Sequence, residues 1–356
     1  MVARVMILAG GTGGHIFPAL AVAEELRAQG CELHWMGTRA GLEARLVPQA
    51  GIAIDWLAVA GFRGKGLRPK LLAPFKLLLA CWQAGGILRR FRPDVVLGMG
   101  GFVAGPGGLM ARLLGIPLVI HEQNRIPGTT NRLLVKCARH VLEAFPGSFA
   151  PQAGAVCVGN PLRRAIADAA GQDKPANPGT AFKLLVIGGS LGAKVLNETV
   201  PAALALVGGA LSVRHQTGAA MQAETAERYL HLGIDAQVSA FIEDMAEAYQ
   251  WADMVVCRAG AMTVSELAAV GLPALLVPYP HAIDDHQTAN ARFFAQAGAA
   301  VLLAQSELTP HTLSEALKAL IHNPERLAAM SATARGLAKP DAAGRVAEIC
   351  LRGAGA

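Results

Sequence analysis

The stretch VCRAGAMTVSELAAVGLPALLVPYPHAIDDHQTANA, residues 256–291, decides the fold class of this chain. The apolar run that ends at Cys257 predicts a strand, the next residues a turn, and Thr263–Val270 a helix. A second apolar run, Pro273–Pro278, predicts another strand, and a polar loop follows it. Strand, helix and strand in this order predict a parallel βαβ unit of an α/β protein, whose ligands bind beyond the carboxyl ends of the strands. We therefore expect a binding site in this turn and this polar loop.

The polar residues of this stretch have two interpretations. Thr263 or Ser265 with Glu266 is typical of a helix N-terminus, where a hydroxyl caps the helix and an acid complements its dipole. A carboxylate also accepts two hydrogen bonds from vicinal hydroxyls, which is how many nucleotide sites hold ribose. The second polar cluster, His281–Asn290, stands after the next predicted strand and favours the ligand site.

The chain uses one local pattern twice. Val5–Ala9 predicts a strand, the loop GGTGGH at residues 10–15 follows it, and Phe17–Leu26 has helical periodicity. Lys183–Ile187 with Gly188–Gly192 repeats the beginning of this pattern. A glycine loop between strand and helix presents backbone N–H groups and a positive helix end to an anion. The repeat predicts a second α/β domain.

A chain of 356 residues is too long for one ordinary core. The segment 170–181 is rich in proline, glycine and small polar residues, as a surface linker is. We predict two Rossmann-like, doubly wound parallel sheets: an N-terminal domain over 1–160 and a C-terminal domain over 161–340. We expect a terminal helix over 341–356 to pack back on the first domain.

The opening glycine loop does not match the dinucleotide fingerprint. Ile16 stands where a third small residue is required, and the strand Glu32–Met36 is followed by Gly37 and Thr38 instead of an acid. The six cysteines form no CxxC pair and no metal-like spacing. We therefore expect neither a nicotinamide cofactor nor a metal site.

Composition limits the class of partner. The net charge of +6 and the isoelectric point near 9.1 favour an acidic partner, whereas 5% aromatic residues give little support for nucleic-acid binding by stacking. The apolar stretch at the start is too short for a secretory signal. The sequence has no uninterrupted run of about 18 apolar residues, so no membrane span is expected. We expect the protein to be made and to remain in the cytoplasm.

Residues 60–92 alternate cations with apolar side chains, and no acid occurs between Asp55 and Asp94. This pattern is typical of a helix that lies on an anionic membrane. A core helix with a solvated edge gives the same pattern, but the lack of acids favours the membrane. The residues expected to face it are Phe75, Leu79 and Trp82.

His15 stands at the junction of the first glycine loop with its helix. A lone histidine is more often structural, but an imidazole beside a phosphate-binding loop can take a proton near neutral pH. Glu122, after the predicted strand Leu118–Ile120, is a second candidate base, since a carboxylate can take the proton or only orient the substrate.

Seven motifs in order resemble the peptidoglycan N-acetylglucosaminyltransferases of glycosyltransferase family 28. They extend over nearly the whole chain, and their combined order and spacing are specific. The motifs are GGTGGH at 10–15, GMGG at 98–101, HEQN at 121–124, GNP at 159–161, GGS at 188–190, FIED at 241–244 and AMTVSE at 261–266.

The resemblance implies a GT-B enzyme of two domains facing a cleft, with no metal in its chemistry. It implies inverting transfer of N-acetylglucosamine from UDP-N-acetylglucosamine to the C4 hydroxyl of N-acetylmuramic acid in lipid I, which gives lipid II. It places the enzyme peripherally on the cytoplasmic face of the inner membrane, with cell-wall and division assembly proteins as further partners.

The resemblance also implies a set of site residues, with the ribose on Glu266, the uracil on the backbone of Ile242, and the diphosphate on Arg163 and Ser190. The candidate bases remain His15 and Glu122. The donor-binding residues are Thr12, Gly13, Gly14, Asn124, Arg163, Ser190, Ile242, Ala261, Met262, Thr263, Val264, Ser265, Glu266, Gln287 and Asn290. The acceptor diphosphate is expected at Gly10, Gly11, Gly100 and Gly101.

Three alternatives stay open at this point. A transferase of the same fold could act on another membrane lipid. A UDP-N-acetylglucosamine epimerase or hydrolase would consume the donor without a lipid acceptor. A nucleotide-binding regulator would show no turnover.

Overall fold

The computed structural model describes residues 2–58, 73–172, 181–189 and 192–355, and the chain divides into two compact units. The first unit comprises Met1–Arg164 and Lys339–Ala356, and the second comprises Ala165–Ala338. The expected divisions lay at 160 and 340. Arg163, which the sequence assigned to the C-terminal domain, thus belongs to the first unit.

In the described part of the first unit, seven parallel strands form one sheet in the spatial order β3-β2-β1-β4-β5-β6-β7. The order reverses beside β1, so the loops after β1 and β4 share the carboxyl edge at the switch point. The strands are β1 (Arg4–Ala9), β2 (Glu32–Gly37), β3 (Ala53–Trp56), β4 (Val95–Gly100), β5 (Leu118–Glu122), β6 (His140–Glu143) and β7 (Val156–Cys157).

Helices cover both faces of this sheet because neighbouring residues of a strand point to opposite sides. Ile7 of β1 packs in one apolar cluster with Val22, whereas Met6 packs in another with Leu88. The helices are α1 (Gly13–Ala28), α2 (Glu43–Gln49), α3 (Ala73–Phe91), α4 (Ala104–Leu113) and α5 (Thr129–Leu134). The next helix, α6 (Arg164–Asp168), begins at the last residue of this segment and otherwise belongs to the second unit.

The described part of the second unit holds six parallel strands in the order β10-β9-β8-β11-β12-β13. The strands are β8 (Phe182–Ile187), β9 (Leu211–Gln216), β10 (Ala236–Ser239), β11 (Met254–Cys257), β12 (Ala274–Leu276) and β13 (Ala300–Leu302). The helices are α7 (Lys194–Val207), α8 (Gln222–His231), α9 (Met245–Trp251), α10 (Ala261–Val270), α11 (His286–Gln296), α12 (Pro310–Ile321) and α13 (Pro324–Leu337).

The stretch at 256–291 forms the predicted βαβ unit, since β11 and β12 pair in parallel with α10 between them. The predicted cap is wrong in detail. The helix begins at Ala261 after Gly260, which has no side chain to cap it, so Thr263 and Ser265 lie inside its first turns. Two all-parallel sheets confirm the predicted fold class.

The last helix, α14 (Ala342–Ala354), packs on the sheet of the first unit. Its residues Val346, Ala347 and Cys350 lie in the apolar cluster that contains Val5 and Val95. The chain thus returns to its first unit after completing the second.

Candidate functional site

The first glycine loop joins β1 to α1. Thr12 is the N-cap residue in an extended conformation, and its carbonyl accepts the N–H groups of His15 (3.1 Å) and Ile16 (3.3 Å). The N–H groups of Gly13 and Gly14 belong to the first turn, where a helix offers donors and a partial positive charge. These two glycines thus give the loop its capacity to bind an anion.

Glu43, at the start of α2, holds this loop, a role that no local pattern indicated. Its carboxylate is fully buried and accepts the N–H of Gly11 (3.0 Å) and both the N–H (2.9 Å) and the hydroxyl (2.7 Å) of Thr38. A Cβ on Gly10 would lie 2.9 Å from the same carboxylate. The expectation that Gly11 binds the acceptor diphosphate needs correction, because its N–H is already bonded to an anion.

The glycine pair after β4 packs directly on the first glycine loop. Gly101 has φ +79°, and a Cβ there would lie 2.3 Å from the carbonyl oxygen of Gly10. Gly100 has φ +100°, and a Cβ there would lie 2.8 Å from Cδ2 of His15. The structure thus brings together His15, Gly10, Gly100 and Gly101, which the sequence placed far apart, because β1 and β4 are neighbours.

Glu122 is buried at the end of β5 with both carboxylate oxygens engaged. Oε1 accepts the backbone N–H (3.0 Å) and the side-chain amide (3.3 Å) of Asn124. Oε2 accepts the N–H of Gly128 (3.0 Å) and the side-chain amide of Asn131 (2.9 Å). These bonds fold the loop after β5 around the carboxylate. Such an environment suits a loop-organising residue better than a base.

The HEQN and GNP motifs are in contact inside the first unit. Nδ1 of His121 accepts from the Gln123 amide (3.0 Å), so Nε2 carries the proton and donates to the carbonyl of Gly159 (2.8 Å). The Asn160 amide donates to the Gln123 carbonyl (3.0 Å). Burial lowers the pKa of His121 to about 4. The imidazole is therefore neutral at physiological pH and structural.

Arg163, which the resemblance assigned to the diphosphate, follows the GNP motif. Its guanidinium carbon lies 5.5 Å from the centre of the Phe17 ring.

A cavity of about 660 Å³ opens in the second unit at the carboxyl ends of β8, β11 and β12. It lies between the second glycine loop and the start of α10, so the predicted donor residues Thr263 and Gln287 line it. Ser190 lies outside the described residues. The lining residues are Ile187, Gly188, Gly189, Gly192, Ala193, Lys194, Val195, Glu198, Arg258, Gly260, Thr263, Tyr279, Gln287 and Gln305.

Glu266 lies in the second turn of α10 and is 7% exposed. Its Oε2 accepts the hydroxyl of Tyr249 (2.9 Å), which fixes the carboxylate in one orientation. Along the rest of the AMTVSE motif, Ala261 and Val264 are buried in the core, whereas Met262 and Ser265 are half-buried. Ala261 and Val264 can therefore offer a ligand only their backbone.

Arg258 is a cavity-lining cation that the sequence did not single out as a ligand. Its guanidinium donates to the carbonyls of Val277 (3.1 Å) and Pro278 (3.1 Å) and to the Gln305 side chain (2.8 Å). Burial lowers its pKa, but a guanidinium stays protonated in proteins. In the sequence it is one arginine in a turn, and only the fold brings it into the same cavity lining as Gly189.

Two predicted sugar-facing residues of α11 have different environments. Gln287 lines the cavity, and its Oε1 accepts the N–H of Tyr279 (3.0 Å), which turns its amide nitrogen toward other partners. Asn290 is fully buried and donates to the carbonyl of Ala259 (3.2 Å), so it supports the turn before α10. Ile242, expected to hold the uracil, is half-buried after β10.

Two family models cover most of the chain. The glycosyltransferase family 28 N-terminal domain matches residues 5–143, and the glycosyltransferase family 28 C-terminal domain matches residues 183–346. The chain belongs to glycosyltransferase family 28. The resemblance read from the seven motifs is confirmed.

This family 28 glycosyltransferase has full-length relatives. A protein of Methylococcus capsulatus named UDP-N-acetylglucosamine–N-acetylmuramyl-(pentapeptide) pyrophosphoryl-undecaprenol N-acetylglucosamine transferase is 63% identical over 100% of both chains. A protein of the same name from Alkalilimnicola ehrlichii is 56% identical over 99% of both chains. These names agree with the activity that the sequence motifs implied.

Solved structures give the fold independently. MurG of Acinetobacter baumannii superposes with a TM-score of 0.84 at 41% identity, over 98% of this chain and 99% of that one. A UDP-N-acetylglucosamine 2-epimerase reaches a TM-score of 0.68 at 15% identity, over 100% of this chain and 97% of that one. This second likeness shows the fold alone.

The described part of α3 in this glycosyltransferase carries an exposed apolar face. Phe75 is 71% and Trp82 is 76% exposed, and Leu79 is also exposed, whereas Ala84 and Leu88 on the other side are buried. The expected cations at 63–70 lie outside the described residues. Within the described ranges, no helix is long and apolar enough to cross a membrane, and no group of three His, Cys, Asp or Glu is placed to hold a metal ion.

Proposed function

We propose that this chain transfers N-acetylglucosamine from UDP-N-acetylglucosamine to the C4 hydroxyl of N-acetylmuramic acid in lipid I, with inversion, to form lipid II. The observation that carries the proposal is the 63% identity, over the whole of both chains, with a transferase of that name. The geometry of the two glycine loops and the cavity agrees with it, as does the glycosyltransferase fold.

In the first unit, we assign the proton transfer to His15. As the acceptor oxygen attacks the anomeric carbon, its proton passes to the imidazole. The glycine loops after β1 and β4 hold this ring in place through the close contact at Gly100. Because the N–H of Gly11 is taken by Glu43, we move the acceptor diphosphate to the N–H groups of Gly13 and Gly14, which the resemblance had assigned to the donor. Glu122 would shape the neighbouring loop.

In the second unit, the cavity would hold UDP. The bond from the anomeric carbon to the diphosphate breaks, and negative charge grows on the leaving oxygen. Arg258 offers a fixed positive charge in the cavity lining. The N–H groups of Gly188 and Gly189 are bonded to Gln216, so these two glycines contribute close approach of the backbone to the ligand. Thr263 at the start of α10 adds a hydroxyl. Preoriented donors of this kind stabilise a leaving group without needing to reorganise.

We assign the nucleoside to Glu266, which lies one turn after the cavity-lining Thr263 on α10, and to Ile242. Glu266, oriented by Tyr249, would accept hydrogen bonds from the ribose hydroxyls. The backbone of Ile242 would pair with the uracil. Gln287 would reach the sugar with its amide nitrogen, while Asn290 would act through the turn that it supports.

The exposed face of α3 would bind the membrane that carries the lipid acceptor. Full burial of a Phe or Leu side chain contributes roughly 1.5–3 kcal/mol, and each cation near an anionic surface adds about 1 kcal/mol. Phe75, Leu79 and Trp82 are exposed, and Arg89 and Arg90 end the same helix. This supports a peripheral position on the cytoplasmic face of the inner membrane. The cell-wall and division partners stay a prediction.

The test of the proposed reaction uses purified protein, radiolabelled UDP-N-acetylglucosamine and a soluble lipid I analogue, with EDTA present. We expect label in the lipid product only when the acceptor is present. Release of UDP without acceptor would point instead to an epimerase or hydrolase. UDP binding without turnover would point to another lipid acceptor or to a regulator.

The membrane assignment has its own test. Replacing Phe75 and Trp82 with Ser should lower binding to anionic vesicles, while transfer to a soluble acceptor is retained. Leu230, in α8 of the second unit, is 77% exposed and gives a matched control, because Leu230→Ser should leave vesicle binding unchanged. Equal binding by the double variant and the wild type would assign the α3 face to a protein contact.

A further inference from the structure

Gln216, the last residue of β9, joins two loops of the second unit through its side chain. It is 3% exposed. Its Oε1 accepts the N–H of Gly189 (3.2 Å), and its Nε2 donates to the carbonyls of Gly189 (2.9 Å) and Ala240 (2.9 Å). The amide thus uses its acceptor and both donor hydrogens on backbone groups.

The two loops that it joins are those to which the proposed function assigns the two ends of UDP. Gly189 belongs to the glycine loop after β8 and lines the cavity. Ala240 follows β10 and comes shortly before Ile242, the proposed uracil contact. A strand end lies between the loops, because β9 stands between β8 and β10 in the sheet. Gln216 is therefore placed to fix their spacing.

Other contacts show that the glycine loop is closely fitted to the same strand end. Gly192 has φ +75°, and a Cβ there would lie 1.8 Å from the carbonyl oxygen of Thr217. Gly189 has φ +92°. The loop backbone thus lies directly against the residues that follow β9. If the Gln216 side chain is altered, the loop therefore cannot compensate by moving closer to the sheet.

The first unit uses a similar anchor of different charge. There, Glu43 accepts the N–H of Gly11 in the glycine loop after β1, from the segment that follows the neighbouring strand β2. A carboxylate in this position adds a negative charge beside its loop. Gln216 accepts the N–H of its glycine loop with a neutral amide. It also donates to two carbonyls, which a carboxylate cannot do.

We propose that Gln216 is a positioning residue for the donor: it fixes the spacing of the diphosphate and uracil loops, and its neutrality lets the diphosphate bind there. The inference rests on the proposed function, since it takes UDP as the occupant of the cavity. A negative charge at this position repels a diphosphate, whereas loss of the hydrogen bonds alone loosens the loops without adding repulsion.

The test compares Gln216→Glu and Gln216→Met with the wild type. The glutamate keeps the shape but adds charge and loses both donors, and the methionine keeps the volume without charge or hydrogen bonds. Inhibition constants are measured for UDP and for uridine, which lacks phosphate, in the transfer assay, with melting temperatures recorded in parallel. Gln222→Glu is the matched control, because Gln222 is exposed and donates only one bond in this part of the fold, to the Val238 carbonyl (3.2 Å).

We expect Gln216→Met to raise both inhibition constants together, by about three- to tenfold. We expect Gln216→Glu to raise that of UDP at least tenfold more than that of uridine, and Gln222→Glu to change neither. Equal changes for UDP and uridine in Gln216→Glu would overturn the charge argument, and a UDP constant within twofold of wild type in Gln216→Met would overturn the positioning role. A wild type that neither binds UDP nor transfers sugar would instead refute the proposed function.

Discussion

The substitution Glu122→Gln separates the two roles that this carboxylate can have. Each oxygen of Glu122 accepts two N–H groups, from Asn124 on one side and from Gly128 and Asn131 on the other. A glutamine must turn its NH₂ toward one of these pairs. Two donors then lose their acceptor and face another donor in a buried place.

The magnitude follows from those two donors. A buried donor without a partner costs about 1–3 kcal/mol, so the substitution should lower the free energy of unfolding by roughly 2–6 kcal/mol. In a domain of this size the melting temperature then falls by at least about 4 °C. A general base that is removed instead lowers the rate by about 10²–10⁴-fold with little change in stability. We expect the first behaviour for Glu122 and the second for His15→Gln.

The assay measures thermal unfolding and kcat on the same preparations. Glu143 supplies a matched control, because it ends the neighbouring strand opposite Glu122 and its oxygens accept the N–H groups of Gly147 (2.8 Å) and Phe149 (3.1 Å). Glu143→Gln should also lower the melting temperature. If Glu122→Gln melts within about 1 °C of the wild type while kcat falls a hundredfold, the structural assignment is wrong and Glu122 is the base.

Three further outcomes are expected. Tyr249→Phe removes the bond to Glu266 and should lower the free energy of unfolding by about 1.5–3 kcal/mol and raise the KM for UDP-N-acetylglucosamine; an unaltered KM would mean that Glu266 does not need this partner. Gly101→Ala should lower kcat through the clash with the first glycine loop, whereas Gly115→Ala, at φ +71° with open space around it, should cost only stability; equal kcat values for the two variants would argue against the packed loops. The pKa of His121 is about 4 in the folded chain and 6.5 in the unfolded chain, so the unfolded chain binds more protons between these pH values. The contribution of His121 to the free energy of unfolding should therefore be complete above pH 6.5 and fall toward pH 4. Equal urea midpoints at pH 7.5 and pH 5 would contradict this.

The fold could be predicted because its signals are local. Apolar runs of strand length, glycine loops and helical periodicity alternate along the chain, and each can be read without knowledge of the rest. The cap of α10 could not be predicted, because Gly260 offers no side chain and the helix begins before Thr263, at the buried Ala261. Thr263 looked like a cap only because hydroxyls usually serve that purpose.

Site residues that stand in motifs could be predicted. Residues that support the site by hydrogen bonds to backbone groups far away in the sequence could not. Glu43 and Gln216 are ordinary polar residues in the sequence, and their partners become neighbours only when the parallel strands assemble. Arg258 is a further example, because its partners at 277, 278 and 305 are distant in the sequence. Glu122 was recognised, but its four donors come from a loop whose path no local pattern specifies. The number of hydrogen bonds that a carboxylate accepts can thus be known only from the fold.

The central claim, inverting transfer of N-acetylglucosamine to an acceptor hydroxyl, is tested most directly by NMR of one complete reaction. The measurement gives the anomeric configuration of the transferred sugar and the amount of UDP formed for each sugar transferred. We expect a β-linked product, one UDP for each sugar, and no UDP when the acceptor is omitted. An α-linked product, or equal release of UDP without the acceptor, would contradict the account.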